Sequence, residues 1–175
     1  MGENQKKQGI GAQAKWCYTC AVEPIIVGPV LNRAADCEPI LRALPEWFGI
    51  EEAIVYYVAE INHLPTFLAL DKAQTAVGFV SLKLHSPYAA EVYVMAVRPE
   101  AHRMGLGRAL LDQADAYLRS LNVEYVQVKT LSPSHPDPHY ARTRAFYQAI
   151  GFRPLEEMPE LWGERNPCLI LIRRL

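Results

Sequence analysis

Several things are scarce in this sequence, and each scarcity removes a class of function. No apolar run is long enough to cross a bilayer, so no membrane-spanning segment is expected. Basic residues are not in excess: 18 Lys and Arg stand against 19 Asp and Glu, for a net charge of -1 and a pI near 6.5. That balance gives no footprint for nucleic acid and no polybasic anchor. Cysteine is rare and poorly spaced. Cys17 and Cys20 form one C-x-x-C pair, but no second pair follows, and Cys37 and Cys168 are scattered. Reduced, incidental thiols are expected rather than a zinc site or a disulfide frame. Met1 to Lys15 lacks the apolar stretch of a signal peptide, and Lys6 stands where a myristoylation motif needs Ser or Thr. A cytoplasmic protein is the expectation. His135, Asp137 and His139 are close together, but Pro136 and Pro138 break their spacing, so no metal is expected there.

What is present is enough for one core. Half of the 175 residues are hydrophobic, which suits a single domain over residues 22–175 preceded by a flexible tail over 1–21, where no helical or strand period is found. The most informative stretch runs from Glu91 to Leu121. Val92, Tyr93, Val94, Met95 and Val97 read as a strand buried on both faces. Leu106, Leu110, Ala114, Tyr117, Leu118 and Leu121 recur at helical spacing, with Asp112, Gln113, Asp115 and Arg119 between them. Joining them is His102-Arg103-Met104-Gly105-Leu106-Gly107-Arg108. Glycines at such a turn let backbone approach a ligand, and the unpaired amides of a first helical turn hold an anion. A nucleotide-triphosphate loop is excluded because Arg108-Ala109 follows Gly107 in place of Lys and Ser or Thr. A dinucleotide fingerprint is weakened by Leu110 where a small residue belongs. By itself Gly-x-Gly before a helix is also consistent with a plain tight turn, so the surroundings must decide.

Those surroundings read as alternating strands and helices. Pro24 to Val30 is a strand; Ala34 to Leu44 is a helix with Ile40, Leu41 and Leu44 inward; Ile54, Val55, Val58 and Ile61 mark a second helix. Thr66 to Leu70 and Ala76 to Leu84 are two strands about a polar turn, and Val123 to Leu131 is expected beside Glu91 to Val97, parallel to it through a right-handed crossover. A last helix, His139 to Ile150, is expected to turn Ala141, Ala145, Phe146 and Ala149 inward, before closing strands at Phe152 to Met158 and Pro167 to Arg173. The fold class is α/β: a mixed, mostly antiparallel central sheet of about 6–7 strands with helices on both faces.

Three features together resemble the GNAT superfamily of N-acetyltransferases. They are the strand and turn from Ala96 to Gly107, the crossover helix to Leu121, and the helix ending Phe146-Tyr147-x-x-x-Gly151-Phe152. The resemblance covers roughly Pro24 to Leu175 and implies acetyl-coenzyme A as co-substrate, a parallel strand pair that splays at the coenzyme site, and no metal. It implies that the backbone of Arg103, Gly105, Leu106, Gly107 and Arg108 holds the pyrophosphate, that Met95 and Val97 meet the pantetheine, and that the Met95 amide meets the thioester carbonyl. Three positions depart from the pattern: His102 stands where the family has Gln or Arg, Met104 where it often has a basic residue, and Tyr140 where it often has Asn.

Acetyl transfer to an amine sets three demands. A lysine-like amine with a pKa near 10.4 is neutral only about one time in a thousand at pH 7, so a base is needed. The resemblance offers Glu91, whose alternative is a solvated carboxylate at a strand end. Carbonyl polarisation falls to backbone amides, with Met95 the choice. Tyr147 matches the family's acid, although a phenol near pKa 10 protonating a thiolate near 8.5 is uphill by roughly 1.5 pH units unless transfer is concerted or the site lowers the phenol. Trp47 and Phe48 fall where similar proteins wall the acceptor pocket. The expected function is direct acetyl transfer to a primary amine, on a small molecule or a protein, with no nucleic acid or membrane partner and a homodimer left open. Alternatives are a coenzyme A-binding regulatory module that has lost catalysis and a transferase for another acyl group.

Overall fold

The computed structural model describes residues 25–175, so the expectations for the tail and for Cys17 and Cys20 fall outside the described residues. The chain runs β1 (Ile25–Val30), α1 (Ala34–Arg42), α2 (Glu51–Ile61), β2 (Thr66–Leu70), β3 (Ala76–Leu84), β4 (Ala89–Val97), a 3-10 turn (Pro99–Ala101), α3 (Leu106–Ser120), β5 (Tyr125–Leu131), α4 (Pro138–Ala149), β6 (Arg153–Met158) and β7 (Cys168–Arg174). Seven strands form one sheet in the order β1-β2-β3-β4-β5-β7-β6. Within it β4 and β5 are parallel and the other neighbours antiparallel. The parallel pair follows from α3, which carries the chain across one face of the sheet.

Two apolar clusters hold helices to opposite faces. On one, Leu106, Leu110, Ala114 and Leu118 of α3 and Tyr147 of α4 meet Val80, Val92 and Val128. On the other, Ile40 and Leu41 of α1 and Ile61 of α2 meet Leu68, Phe79 and Val94. Central β4 contributes to both, as expected of a strand covered twice, whereas edge strand β6 is largely exposed. Pro154 on that edge lacks the N–H a further strand would need.

The structure corrects some sequence expectations. Val55 and Leu121 are exposed, and Tyr57 takes the inward place beside Val58. Asp115, expected between the core positions, is buried because Arg173 Nη2 on β7 donates to it at 2.7 Å. In α4 the alanines face outward and Tyr147 faces the core. An apolar stripe marks what is kept from water, and here Ala145, Phe146 and Ala149 border a cleft instead of the sheet.

Candidate active site

β4 and β5 are paired only from Ala89 to Val92 and from Tyr125 to Val128. Beyond that point β5 continues beside β7 and β4 beside β3, so the two strands part. A bulge marks the fork: Ser81 faces Val94 and Leu82 faces Val92, leaving Tyr93 with no opposite residue, and the extra residue bends and twists the strand. The result is a cleft of about 860 Å³ lined from both faces of the sheet. Met95, Val97, Leu106, Phe146 and Tyr147 come from the α3 and α4 side; Trp47, Phe48, Tyr57 and Tyr93 come from the α1 and α2 side.

Parting strands leave main-chain groups without ladder partners. The Arg98 amide donates to the Val77 carbonyl of β3 at 2.8 Å, so strand alternation turns Ala96 towards β3 and Met95 and Val97 towards the fork. The Val97 carbonyl there accepts a bond from His102 Nε2 at 2.7 Å.

At the other end of the cleft the turn before α3 is wound by two left-handed residues, Arg103 (φ 66°) and Gly105 (φ 80°). No side chain caps α3, and its first helical bond joins the Ala109 amide to the Gly105 carbonyl. The amides of Leu106, Gly107 and Arg108 therefore lie unused at the positive end of the helix dipole. A Cβ on Gly107 would sit 3.1 Å from Phe146 Cζ and 3.2 Å from Met95 Cε, so a bare backbone lets the helix end approach this closely. Bare amides, a positive dipole end and the exposed Arg103 and Arg108 fit a diphosphate.

Met95, Val97, Arg103, Gly105, Leu106, Gly107, Arg108, Trp47, Phe48 and Tyr147 all line this one cleft. Glu91 is not among its lining residues. The alternative of a solvated strand-end carboxylate is corrected as well: Glu91 is the third residue of β4 and only 3% exposed. Lys129 Nζ donates to its two oxygens at 2.9 and 2.8 Å, and His85 Nε2 lies 2.7 Å from Oε2. The register that sets Glu91 beside Gln127 brings Lys129 within reach one strand over.

Tyr147 packs between Phe146 (5.3 Å between ring centroids) and Phe152 (5.4 Å), and burial pushes its phenol well above the ordinary range. Of the two conditions set for this acid, a lowered phenol is not met, which leaves concerted transfer. Trp47 straps the α1–α2 segment to α4: its Nε1 donates to Thr143 Oγ1 and its carbonyl accepts from Tyr140 Oη, each at 2.9 Å. Its ring also meets His139 edge-on at 4.9 Å and His102 at 6.2 Å. Tyr140, which replaces the family's usual Asn, is spent on this strap.

Sequence reading missed Tyr57, Tyr93, Lys129, Thr130 and Trp162, all on the cleft wall. Thr130 is the least expected: it is 1% exposed and its Oγ1 has no partner among the described residues. Only the alternation of β5 hinted at its position. The His135–His139 cluster has a structural role, since Asp137 Oδ1 accepts the His139 and Tyr140 amides at 2.8 Å each and caps α4. Those bonds hold the Asp137 carboxyl below its usual pKa. Among the described residues no group of three or more His, Cys, Asp or Glu is arranged to hold a metal, and no helix is long and apolar enough to cross a membrane.

Comparison with known proteins agrees with the geometry. Residues 52–154 match the model of the acetyltransferase (GNAT) domain. A mycothiol acetyltransferase of Beutenbergia cavernae is 38% identical over 74 residues, 42% of this chain and 23% of that protein, so the chain spans about a quarter of that relative's length. In three dimensions the chain resembles a GNAT-family acetyltransferase structure from Desulfovibrio desulfuricans, with TM-score 0.73 and 17% identity over 86% of this chain and 98% of the other. It also resembles a GNAT acetyltransferase of Elizabethkingia anophelis with acetyl-CoA bound, with TM-score 0.64 and 16% identity over 88% and 99%. With the forked strands, the uncapped helix end and the matched domain all in one cleft, the chain belongs to the GNAT family of acetyltransferases.

Proposed function

We propose that this protein transfers an acetyl group from acetyl-coenzyme A to a primary amine by direct attack. The observation that carries the proposal is the continuous cleft between β4 and β5, with bare helical amides at one end, Tyr147 in its wall and an aromatic chamber across the sheet. Acetyl-coenzyme A, once bound, supplies an activated acetyl thioester. Leu106, Gly107 and Arg108 offer their amides to its diphosphate, flanked by the Arg103 and Arg108 guanidiniums. The Met95 amide, turned to the fork, donates to the oxygen on which negative charge develops.

Tyr147 holds the proton on Oη that the departing sulfur needs. Its raised pKa keeps it protonated across the physiological range. Burial raises this phenol at least as much as it raises a thiol such as Cys168, so the proton transfer stays uphill and is concerted with cleavage of the C–S bond. Glu91 serves as a positioning residue: its carboxylate fixes the Lys129 ammonium at the cleft wall, and the amine proton leaves through water in the cleft.

The test is release of free thiol from acetyl-coenzyme A across a broad amine panel, with coenzyme binding followed separately by calorimetry. Thiol release dependent on amine is the expected result. Binding without release from any amine overturns the proposal in favour of a regulatory coenzyme-binding module. Faster turnover of a longer acyl-coenzyme A would overturn the choice of acetyl.

A further inference from the structure

The acceptor chamber is built in a way that restricts the amine. On the α1 and α2 side the rings form a chain: Phe48 meets Tyr57 edge-on at 5.9 Å, and Tyr57 meets Tyr93 at 5.7 Å. Trp47 and Trp162 add two further rings to the wall. Such a chamber stabilises a planar apolar body through edge and face contacts.

Charge is arranged against a second ammonium. Among the described residues no Asp or Glu lines the cleft. Two carboxylates near Tyr57 and Tyr93 are each held by a lysine: Lys129 Nζ on Glu91 at 2.8 Å, and Lys83 Nζ on Glu60 at 3.2 Å. Lys83 Nζ also sits 5.1 Å from the centre of the Tyr93 ring, so the cation site on that aromatic face is taken by the protein itself. A polyamine entering here meets the Lys129 ammonium and no carboxylate of the lining.

Among the described residues the wall also holds no carboxylate base. Its phenols Tyr57, Tyr93, Tyr140 and Tyr147 stay protonated because burial raises them, and its histidine, His102, is tied through Nε2 to the Val97 carbonyl at the turn before α3, away from the aromatic chamber wall of Phe48, Tyr57 and Tyr93. An amine protonated at neutral pH has no carboxylate at hand to release it, whereas one that arrives neutral needs none.

We infer that the acceptor is a weakly basic aromatic monoamine that enters the chamber as its neutral free base. The inference rests on the acetyl-transfer proposal above. The new C–N bond forms as the C–S bond breaks, the amine nitrogen gives one proton to cleft water, and Tyr147 gives one to sulfur and recovers it from water, so the thioester and amine become an amide and a free thiol.

The experiment measures thiol release at saturating acetyl-coenzyme A with aniline-type amines, phenethylamine, putrescine and spermidine, each over a range of concentration and pH. The aniline-type amines are expected to show a kcat/KM at least about tenfold above the diamine and triamine, with little change in kcat/KM between pH 6.5 and 8.5. Phe48→Leu, which keeps an apolar side chain and removes the ring, is expected to raise KM for these amines about fivefold with coenzyme affinity unchanged. Equal or faster acetylation of putrescine or spermidine overturns the inference and leaves acetyl transfer standing, as does phenethylamine outrunning the aniline-type amines. No release from any amine, with coenzyme bound, overturns both.

Discussion

Tyr147 and the two glycines of the turn show how single residues divide between stability and function. The Tyr147 ring is core, filling space between Phe146 and Phe152, while the residue also lines the cleft and is proposed to protonate the leaving sulfur. Tyr147→Phe is therefore expected to keep the melting temperature and the coenzyme affinity while lowering kcat by about 10²-fold, the usual size of a lost acid. Thermal denaturation and steady-state kinetics check it; an unchanged kcat removes Tyr147 from the mechanism. Gly105 and Gly107 fail for different reasons. Alanine at Gly105 meets no atom within 4 Å but must adopt φ near 80°, which costs about 1–2 kcal/mol of stability. Alanine at Gly107 is free of that strain and instead presses on Phe146 and Met95. The expected result is a larger loss of stability for Gly105→Ala and a larger loss of coenzyme affinity for Gly107→Ala, read by urea titration and calorimetry.

At the scale of elements, the fork between β4 and β5 is held open on one side by the bulge at Tyr93 and tied below by the Glu91–Lys129 pair. Removing one partner leaves a buried charge uncompensated. Lys129→Met should cost about 3–5 kcal/mol, softened by His85, and adding Glu91→Leu should recover most of it because an apolar pair of similar size avoids the desolvation of both ions. Urea unfolding of the two single variants and the double variant tests this coupling. The Trp47 strap is a second such device. Trp47→Phe loses the bond to Thr143, and faster amide exchange at the start of α4 is expected, with β2 and β3 unaffected.

Across the whole molecule, burial leaves its mark on pH dependence. Cys37 is fully buried, with its thiol raised from 9.0 to about 12, and Cys168 is raised to about 11. Tyr57, Tyr93, Tyr140 and Tyr147 are raised as well. In the unfolded chain these groups lose protons at their ordinary values while the folded chain keeps them. Their contribution is intact below about pH 9 and is lost as pH climbs through the folded values, so stability should fall on the alkaline side. Urea midpoints at pH 7, 9 and 10.5 should decline in that order. In the native state at pH 8 a thiol reagent should leave Cys37 and Cys168 unmodified, as peptide mass mapping would show.

The order of elements, the bounds of β2 and β3, the parallel partnership of β5 and the glycine turn were legible in the amino acids alone. They depend on neighbours in the chain: periodicity, breakers and the φ freedom of glycine act within a few residues. The left-handed turn that opens α3 was legible for the same reason. Tertiary structure alone decided what Glu91 does, because its partner Lys129 lies 38 residues away and meets it only through strand register. It likewise decided that Ala145 and Ala149 of α4 border a cleft, that Trp47 is a strap, and that rings from α2, β4 and the β6–β7 segment share one chamber. An apolar side chain looks the same in sequence whether it is sheltered by the core or waits for a ligand. Only the parting of two strands, a property of the assembled sheet, separates those two fates.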